Sequence, residues 1–392
     1  MSFLSGTVSF SRFQIVGGSP KRLDDALIDK LRAHVIGNQR LATPDNVEVG
    51  WIGGHHLLDL AFDVDKNIVL DCLHFGFRID SAGLPPDLMR AYVEMELEAL
   101  REGHAGANGR SFARLKREAR DAARKRAEHE IKEGRFRRQR HFPVLWDTRR
   151  DVLYVGATQP AVLERLYPLF KETFGKRLEP LTAAAIGCNA AERRGAARLL
   201  ESIAPARFVK HPDGNGHAEV YWTAHNADSR DYLGNEFLLW LWYTLSEETD
   251  TVELSDKTEV AVILVNQMIL ECPWAESGKE TIQADSPTRL PESRRAVRSG
   301  KLPRKVGLIV SRQGEQYELV LQAETFSVAA GKLPKPEANG NGNGRARFEE
   351  RVEQIRHLSA TIDLLFDAFL QRRLSSSWQA EQNKITRWLR DG

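Results

Sequence analysis

KVGLIVSRQGEQYELVLQAETF, residues Lys305 to Phe326, holds two apolar runs rich in β-branched residues, Lys305 to Ser311 and Gln316 to Phe326. Between them lies Gln313-Gly314-Glu315, a polar glycine-bearing turn, so the stretch is expected to fold as an antiparallel hairpin. Upstream, Val260 to Glu271 has the same strand character, and Phe237 to Leu245 is apolar nearly all round, as a helix buried on most sides would be. A second hairpin is expected from His141 to Trp146 and Val152 to Gly156, turned by Asp147 to Asp151. Further toward the N-terminus, Ile68 to Ile79 follows the Gly50 to Gly54 loop as a strand, and Val8 to Ile15 forms another, ended by Gly17-Gly18.

Helical spacing fills the intervals. Leu23, Leu27, Ile28, Leu31 and Val35 mark one helix, stopped by Gly37-Asn38. Leu88, Tyr92, Met95 and Leu100 mark another, started by Pro85-Pro86 and interrupted by Gly103 to Gly109, and a third runs from Arg110 to about Lys132. Pro160 to Phe174 is bounded by the expected proline and glycine, and an Ala- and Arg-rich helix covers about Ala190 to Ser202. The rest of Leu181 to Asn226, including the loop Pro212 to Gly216, carries no readable pattern. Hairpins alternating with helices, without a βαβ rhythm, predict an α+β fold with antiparallel sheets and packed helices.

Asn339 to Gly344 alternates Asn and Gly, and such a segment cannot bury apolar area, so it is expected to be a linker. Beyond it, Ile355, Leu358, Ile362, Leu365, Phe366 and Phe369, then Trp378, Ile385 and Trp388, predict a two-helix tail. Two helices are marginal alone, so the tail is expected to pack on the main body or on a second subunit. The expected division is 6–180, 181–335, a linker at 336–346 and the tail at 347–392.

The 392 residues carry a net charge of only +2, so any nucleic-acid role depends on where the charges lie. Between Arg110 and Arg140 there are 13 basic residues against five acids, a net of +8. Arg110, Arg114, Arg117, Arg120 and Arg124 recur every three or four positions and are expected along one broad helix face. Lys116 and Lys125 lie beside them, and Arg135, Arg137, Arg138 and Arg140 follow. A second cluster, Arg289 to Lys305, holds seven basic residues, Lys301, Arg304 and Lys305 among them, against the single acid Glu292, and is expected on a loop before a strand. Guanidinium groups suit bidentate phosphate contacts. Neutralising six to ten phosphates would lower affinity roughly 10³- to 10⁵-fold between 50 and 200 mM salt. The competing reading of such helices is a solvated face whose charges pair locally, as Glu128 and Lys132 are spaced to do.

Other chemistries find less support. His55-His56 with Asp59 and Asp63 lack metal-site spacing, and Asp63, Asp65 and Asp71, the acids a Mg²⁺-dependent nuclease would use, read more simply as turn residues. Gly278-Lys279 and Gly300-Lys301 lack the rest of a phosphate loop. His217, His225, Ser229 and Asp231 have no nucleophile elbow among them, and Trp222, Trp240, Trp242 and Tyr243 are better read as core than as base-stacking platforms. No catalytic residue and no cofactor is expected. Cys72, Cys188 and Cys272 are widely spaced and odd in number, and no run is apolar enough to span a bilayer, which together suggest a cytoplasmic protein.

Glu133-Gly-Arg-Phe-Arg-Arg-Gln-Arg-His-Phe-Pro-Val-Leu-Trp146-Asp147, followed by Val152-Leu-Tyr-Val-Gly-Ala157, resembles the central stretch of the recombination-associated protein RdgC family. Ser299-Gly-Lys-Leu-Pro-Arg-Lys-Val-Gly-Leu308 before the Gln316 to Phe326 strand, and Gly50-Trp51 after the first helix, are similar to that family in the same order, over about residues 6 to 335. The linker and tail are an extension beyond it. The resemblance implies a ring-like, nucleoid-associated homodimer that encloses double-stranded DNA without sequence preference and restrains strand exchange by RecA. It makes Arg114 to Lys125, Arg135 to Arg140, Lys301, Arg304 and Lys305 the expected DNA-facing residues. A metal-dependent nuclease of recombination or phage defence, and an assembly protein with no nucleic-acid role, are the alternatives.

Overall fold

A computed structural model describes residues 3–37, 47–102, 112–209, 229–273, 278–335 and 344–391. Arg110, Trp222, His217, His225, the loops at 103–109 and 212–216 and most of the Asn-Gly linker lie outside these residues. The chain begins with β1 (Val8–Val16), α1 (Asp25–Ala33), β2 (Val47–Ile52), α2 (Val64–Asn67), β3 (Ile68–Val69), β4 (Cys72–Ala82), α3 (Pro86–Glu102) and α4 (Phe112–Lys132). It continues through β5 (Arg137–Asp147), β6 (Val152–Val155), α5 (Pro160–Phe174), β7 (Arg177–Pro180), α6 (Ala183–Arg193), α7 (Ala197–Ser202) and α8 (Tyr232–Glu247). It closes with β8 (Thr251–Glu253), β9 (Glu259–Glu271), β10 (Glu280–Gln283), α9 (Pro291–Arg298), β11 (Leu302–Arg312), β12 (Glu315–Gln322), β13 (Val328–Lys332), α10 (Gly344–Arg373) and α11 (Trp378–Asp391). The fold is α+β with antiparallel strand pairing throughout the named strands. None of the described helices is long and apolar enough to cross a membrane.

The hairpin from Lys305 folds as expected. Lys305 faces Gln322 and Arg312 faces Glu315, around the two-residue turn Gln313-Gly314. Both turn residues have positive φ, +52° and +84°, as a turn matching the right-handed strand twist requires.

Two compact units form, and they do not follow the four consecutive segments expected from sequence. One comprises residues 1–24, 64–74 and 142–392, the other 25–63 and 75–141. Strands β4 and β5 each run from one unit into the other, which is why a division by linear segments fails.

In the larger unit the strand order is β10-β9-β11-β12-β13-β1-β6-β5, with β8 beside β9 and β7 beside β1. Helix α8 packs across β11 and meets α6 and α10. Gly234 makes this seat possible: a Cβ there would lie 1.8 Å from the Ala323 carbonyl oxygen. Phe237 contacts Phe326, Phe366 and Phe369 at ring separations of 5.5–6.0 Å, and Trp240 and Trp242 are buried, as their core reading required. The tail is part of this core. Ile355, Leu358, Ile362, Leu365, Phe366 and Phe369 are all buried, because the stripe has the sheet-covering helices to pack against. The single helix expected over Ala190 to Ser202 is two, α6 and α7, broken at Gly195 with φ +67°. The strand expected over Ile68 to Ile79 is the hairpin β3–β4, turned at Leu70-Asp71.

The smaller unit pairs β2 with β4, from Val47 opposite Ser81 to Ile52 opposite Gly76. Gly50 and Trp51, expected in a loop, belong to β2. Trp51 is fully buried against Phe75 at 5.0 Å, and a Cβ on Gly50 would overlap the Ile36 backbone at 2.5 Å. Helices α3 and α4 form a helical hairpin in this unit.

Candidate nucleic-acid interface

Helix α4 spans 21 residues, about 31 Å at 1.5 Å per residue. Its packed side is Ala119, Ala123, Ala127 and Glu130, three small residues that let α3 approach closely and one carboxylate with dedicated partners. Tyr92 of α3 donates its hydroxyl to Glu130 Oε2 at 2.7 Å. Arg126 stacks over the Tyr92 ring at 4.4 Å and reaches Glu130 at 3.4 Å, while Arg135 lies 3.9 Å from the same carboxylate. The Tyr92 hydrogen bond, aided by Arg126 and Arg135, holds the Glu130 carboxyl below its usual range, and the same bond raises the Tyr92 phenol. This node locks the C-terminal half of α4 in place.

The remaining cations are solvent-facing. Arg114, Lys116, Arg117, Arg120, Arg124 and Lys125 are all exposed or half-exposed. Arg114 pairs with Glu118 at 3.3 Å. The side chains of Lys116, Arg117, Arg120, Arg124 and Lys125 form no ion pair within the described residues. Lys116, Arg120 and Arg124 line an open groove of about 570 Å³ against Met89, Val93, Leu97 and Phe112, whereas Arg114, Arg117 and Lys125 lie outside it. The exposed acids Asp121 and Glu128 interrupt the helix's outer surface.

After α4 the chain turns through Gly134 and Phe136, both left-handed at φ +85° and +60°. Strand β5 begins at Arg137, four residues earlier than expected, which puts Arg137, Arg138 and Arg140 on extended backbone. Alternation then sends Arg138 and Arg140 to one side and Arg137 to the other with Gln139, whose amide donates to Asp80 at 3.3 Å. All four positions from Arg137 to Arg140 are exposed. Arg137 and Arg138 form no ion pair within the described residues.

The second cluster lies in the larger unit, where three of its seven cations, Arg294, Lys301 and Arg304, pair with carboxylates. Lys301 pairs with Glu280 at 3.1 Å, and Arg304 bridges Glu271 at 2.6 Å and Glu324 at 2.8 Å. Glu324 also accepts from Asn235 of α8, so Arg304 belongs to a network that seats that helix. Arg294 stacks over Trp388 at 5.1 Å, and Arg298 donates to the Leu389 carbonyl near the end of α11. Of the three residues expected to face DNA, only Lys305 is half-exposed without such a partner among the described residues. Lys301 and Arg304, both expected to face DNA, are thus held in ion pairs within the larger unit. Their carboxylates come from β9, β10 and the segment after β12, distant in sequence, and no charge count along the chain reveals them.

Some described members of the metal and hydrolase arrangements hold local backbone and side-chain groups, and His217 and His225 lie outside the described residues. Asp59 accepts the His55 and Ala61 backbone N–H groups as a turn residue. Asp231 accepts from Ser229 Oγ at 2.7 Å and from the Ala184 N–H at the start of α6. Among the described residues, Asp71, Cys72 and Asp147 do lie within 4.8 Å of one another through their ligating atoms. Their centre is taken by Arg356 of α10, which donates to Asp147 at 2.7 and 2.9 Å, to Asp71, and to Cys72 Sγ at 3.2 Å. A guanidinium supplies the positive charge there. Burial raises the Cys72 thiol well above its normal range, which disfavours the thiolate beside Asp71 and Asp147. Burial also works against ionisation of Asp71, but the hydrogen bond and charge of Arg356 keep its carboxyl below the usual value.

No protein-family model matches this sequence, and no curated protein is similar to it.

Proposed function

We propose that this protein binds double-stranded DNA through the phosphate backbone, without reading sequence, and acts in recombination by restraining RecA-type strand exchange. One observation carries the reading: Lys116, Arg117, Arg120, Arg124 and Lys125 on α4, with Arg137 and Arg138 on β5, are solvent-facing cations of one unit whose charges no carboxylate among the described residues takes up. The recombination role and a ring-like homodimer rest on the resemblance to the RdgC family. A self-associating surface has some support from the α3–α4 hairpin, where Phe112 and Met95 are more than half exposed beside half-buried Met89, Val93 and Leu97.

The test is equilibrium binding to two duplexes of unrelated sequence across a salt series. The seven cations predict equal affinities and a log–log salt slope of about −6 if all of them neutralise phosphates. Charge reversal at Arg137 and Arg138 is expected to weaken both duplexes alike. A flat salt response, or no binding at low salt, would end the proposal.

A further inference from the structure

The larger unit brings together six cations that are scattered in sequence. Strand β1 leaves the sheet at Val16, flanked on opposite edges by β6 and β7. Phe13 and Gln14 pair with Leu153 and Val152 on one side and with Pro180 and Glu179 on the other. Three segments therefore meet at this end: the loop 17–24 after β1, the β5–β6 turn 148–151 and the approach to β7 at 175–177. Val16 lies opposite Arg177, and the Ile15 N–H donates to the Asp151 carbonyl. With neighbouring strands about 4.8 Å apart, the two flanking segments stand about 10 Å from each other across β1.

These segments supply Lys21, Arg22, Arg149, Arg150, Lys176 and Arg177, all exposed except half-buried Lys176. Their acids are mostly consumed internally. Asp151 Oδ1 accepts the Ser19 N–H, and Asp147 accepts the Arg149 and Arg150 N–H groups while paired to Arg356. Asp24 is the one other acid on these segments, and Glu179 follows on β7.

The display is held in place. Gln14 Nε2 donates to the Asp151 carbonyl at 3.1 Å, Trp146 Nε1 to Ser19 Oγ at 2.8 Å, and Lys176 Nζ to the Gly17 carbonyl at 3.2 Å. Lys21, Arg22, Arg149 and Arg177 use their side chains in no ion pair or hydrogen bond within the described residues. Loops fixed by their backbones, carrying long cationic side chains free of internal work, lose little backbone entropy when a ligand settles on them. Cations spread over three segments suit an extended polyanion better than a single small anion.

We propose that this three-loop end of β1 is a second contact surface for the nucleic-acid phosphate backbone, carried by the larger unit. The proposal rests on the DNA-binding reading above and adds a site to it.

The test replaces Lys21, Arg22, Arg149 and Arg177 together by Gln in the full chain. Thermal unfolding checks the fold, and a Tm within a few degrees of wild type is expected because these exposed side chains form no ion pair or hydrogen bond within the described residues. Duplex binding across a salt series is then compared with wild type and with Arg120→Gln/Arg124→Gln. Loss of two to four phosphate contacts is expected to flatten the slope by about 2–4 and to weaken binding about 10²–10³-fold at roughly 100 mM salt. If the quadruple variant binds like wild type while the Arg120/Arg124 variant is weakened, this surface is refuted and the DNA-binding reading stands. If wild type itself does not bind duplex at low salt, both fall. If wild type holds an acidic polypeptide of matched charge as tightly as the duplex, and the quadruple variant loses both, the surface belongs to a protein partner and the assignment is overturned.

Discussion

Replacing Arg356 by Met should cost the larger unit several kcal/mol, and the charges around it say why. The guanidinium is 5 % exposed and is the only cation paired with Asp147, whose carboxylate is fully buried, among the described residues. The Met side chain refills most of the volume, so the cavity contribution is small. The penalty is that of a buried carboxylate left without its charge partner, about 3–5 kcal/mol, lessened by the two backbone N–H groups of Arg149 and Arg150 that still point at Asp147. Asp71 contributes less, because its side chain is 36 % exposed and regains water. A second change, Asp147→Asn, removes the stranded charge while keeping an acceptor for the turn, and is expected to recover about half of the loss. The assay is urea unfolding followed by tryptophan fluorescence, in which Trp146, Trp240, Trp242, Trp378 and Trp388 report the larger unit. A loss below about 1 kcal/mol, or an Arg356→Met/Asp147→Asn double variant less stable than Arg356→Met alone, would show that the α10 tail is not held through this charge cluster.

Two further outcomes follow from the same geometry. Arg304→Gln should lower stability, since it leaves Glu324 (8 % exposed) without its cation, yet leave the salt slope of DNA binding unchanged; a slope flattened by about 1 would restore Arg304 as a phosphate contact. Burial lowers the imidazoles of His141 and His357, so the unfolded chain takes up protons at a higher pH than the folded one. Stability contributed by the neutral rings is therefore present above the unfolded value near about 6.5 and declines as pH falls through it. A Tm series from about pH 7.5 to 5 should fall, and less steeply in a His141→Gln/His357→Gln variant; parallel curves would exclude these two groups as the cause.

Only local structure was legible in the amino-acid order. Alternation and turn chemistry were enough for the hairpin around Gln313-Gly314, because a two-residue turn fixes its own register. Helical spacing was enough for the tail stripe from Ile355 to Phe369 and for the buried α8, and the arginine spacing put solvent-facing cations on α4. Whatever depends on distant partners was settled by folding. Gly50-Trp51 carries turn and strand signals at once, and only the pairing of β2 with β4 makes it a strand. Lys301 and Arg304 look like Lys116 and Arg120 in a charge count, yet the first pair is neutralised by Glu280, Glu271 and Glu324 and the second faces water. The six cations around β1 were invisible for the converse reason: no one segment contributes more than two, and it is the antiparallel pairing of β1 with both β6 and β7 that assembles them. Charge along a chain is additive, but the free energy of a charge is set by what folds against it, and that information lies in contacts between residues far apart in sequence.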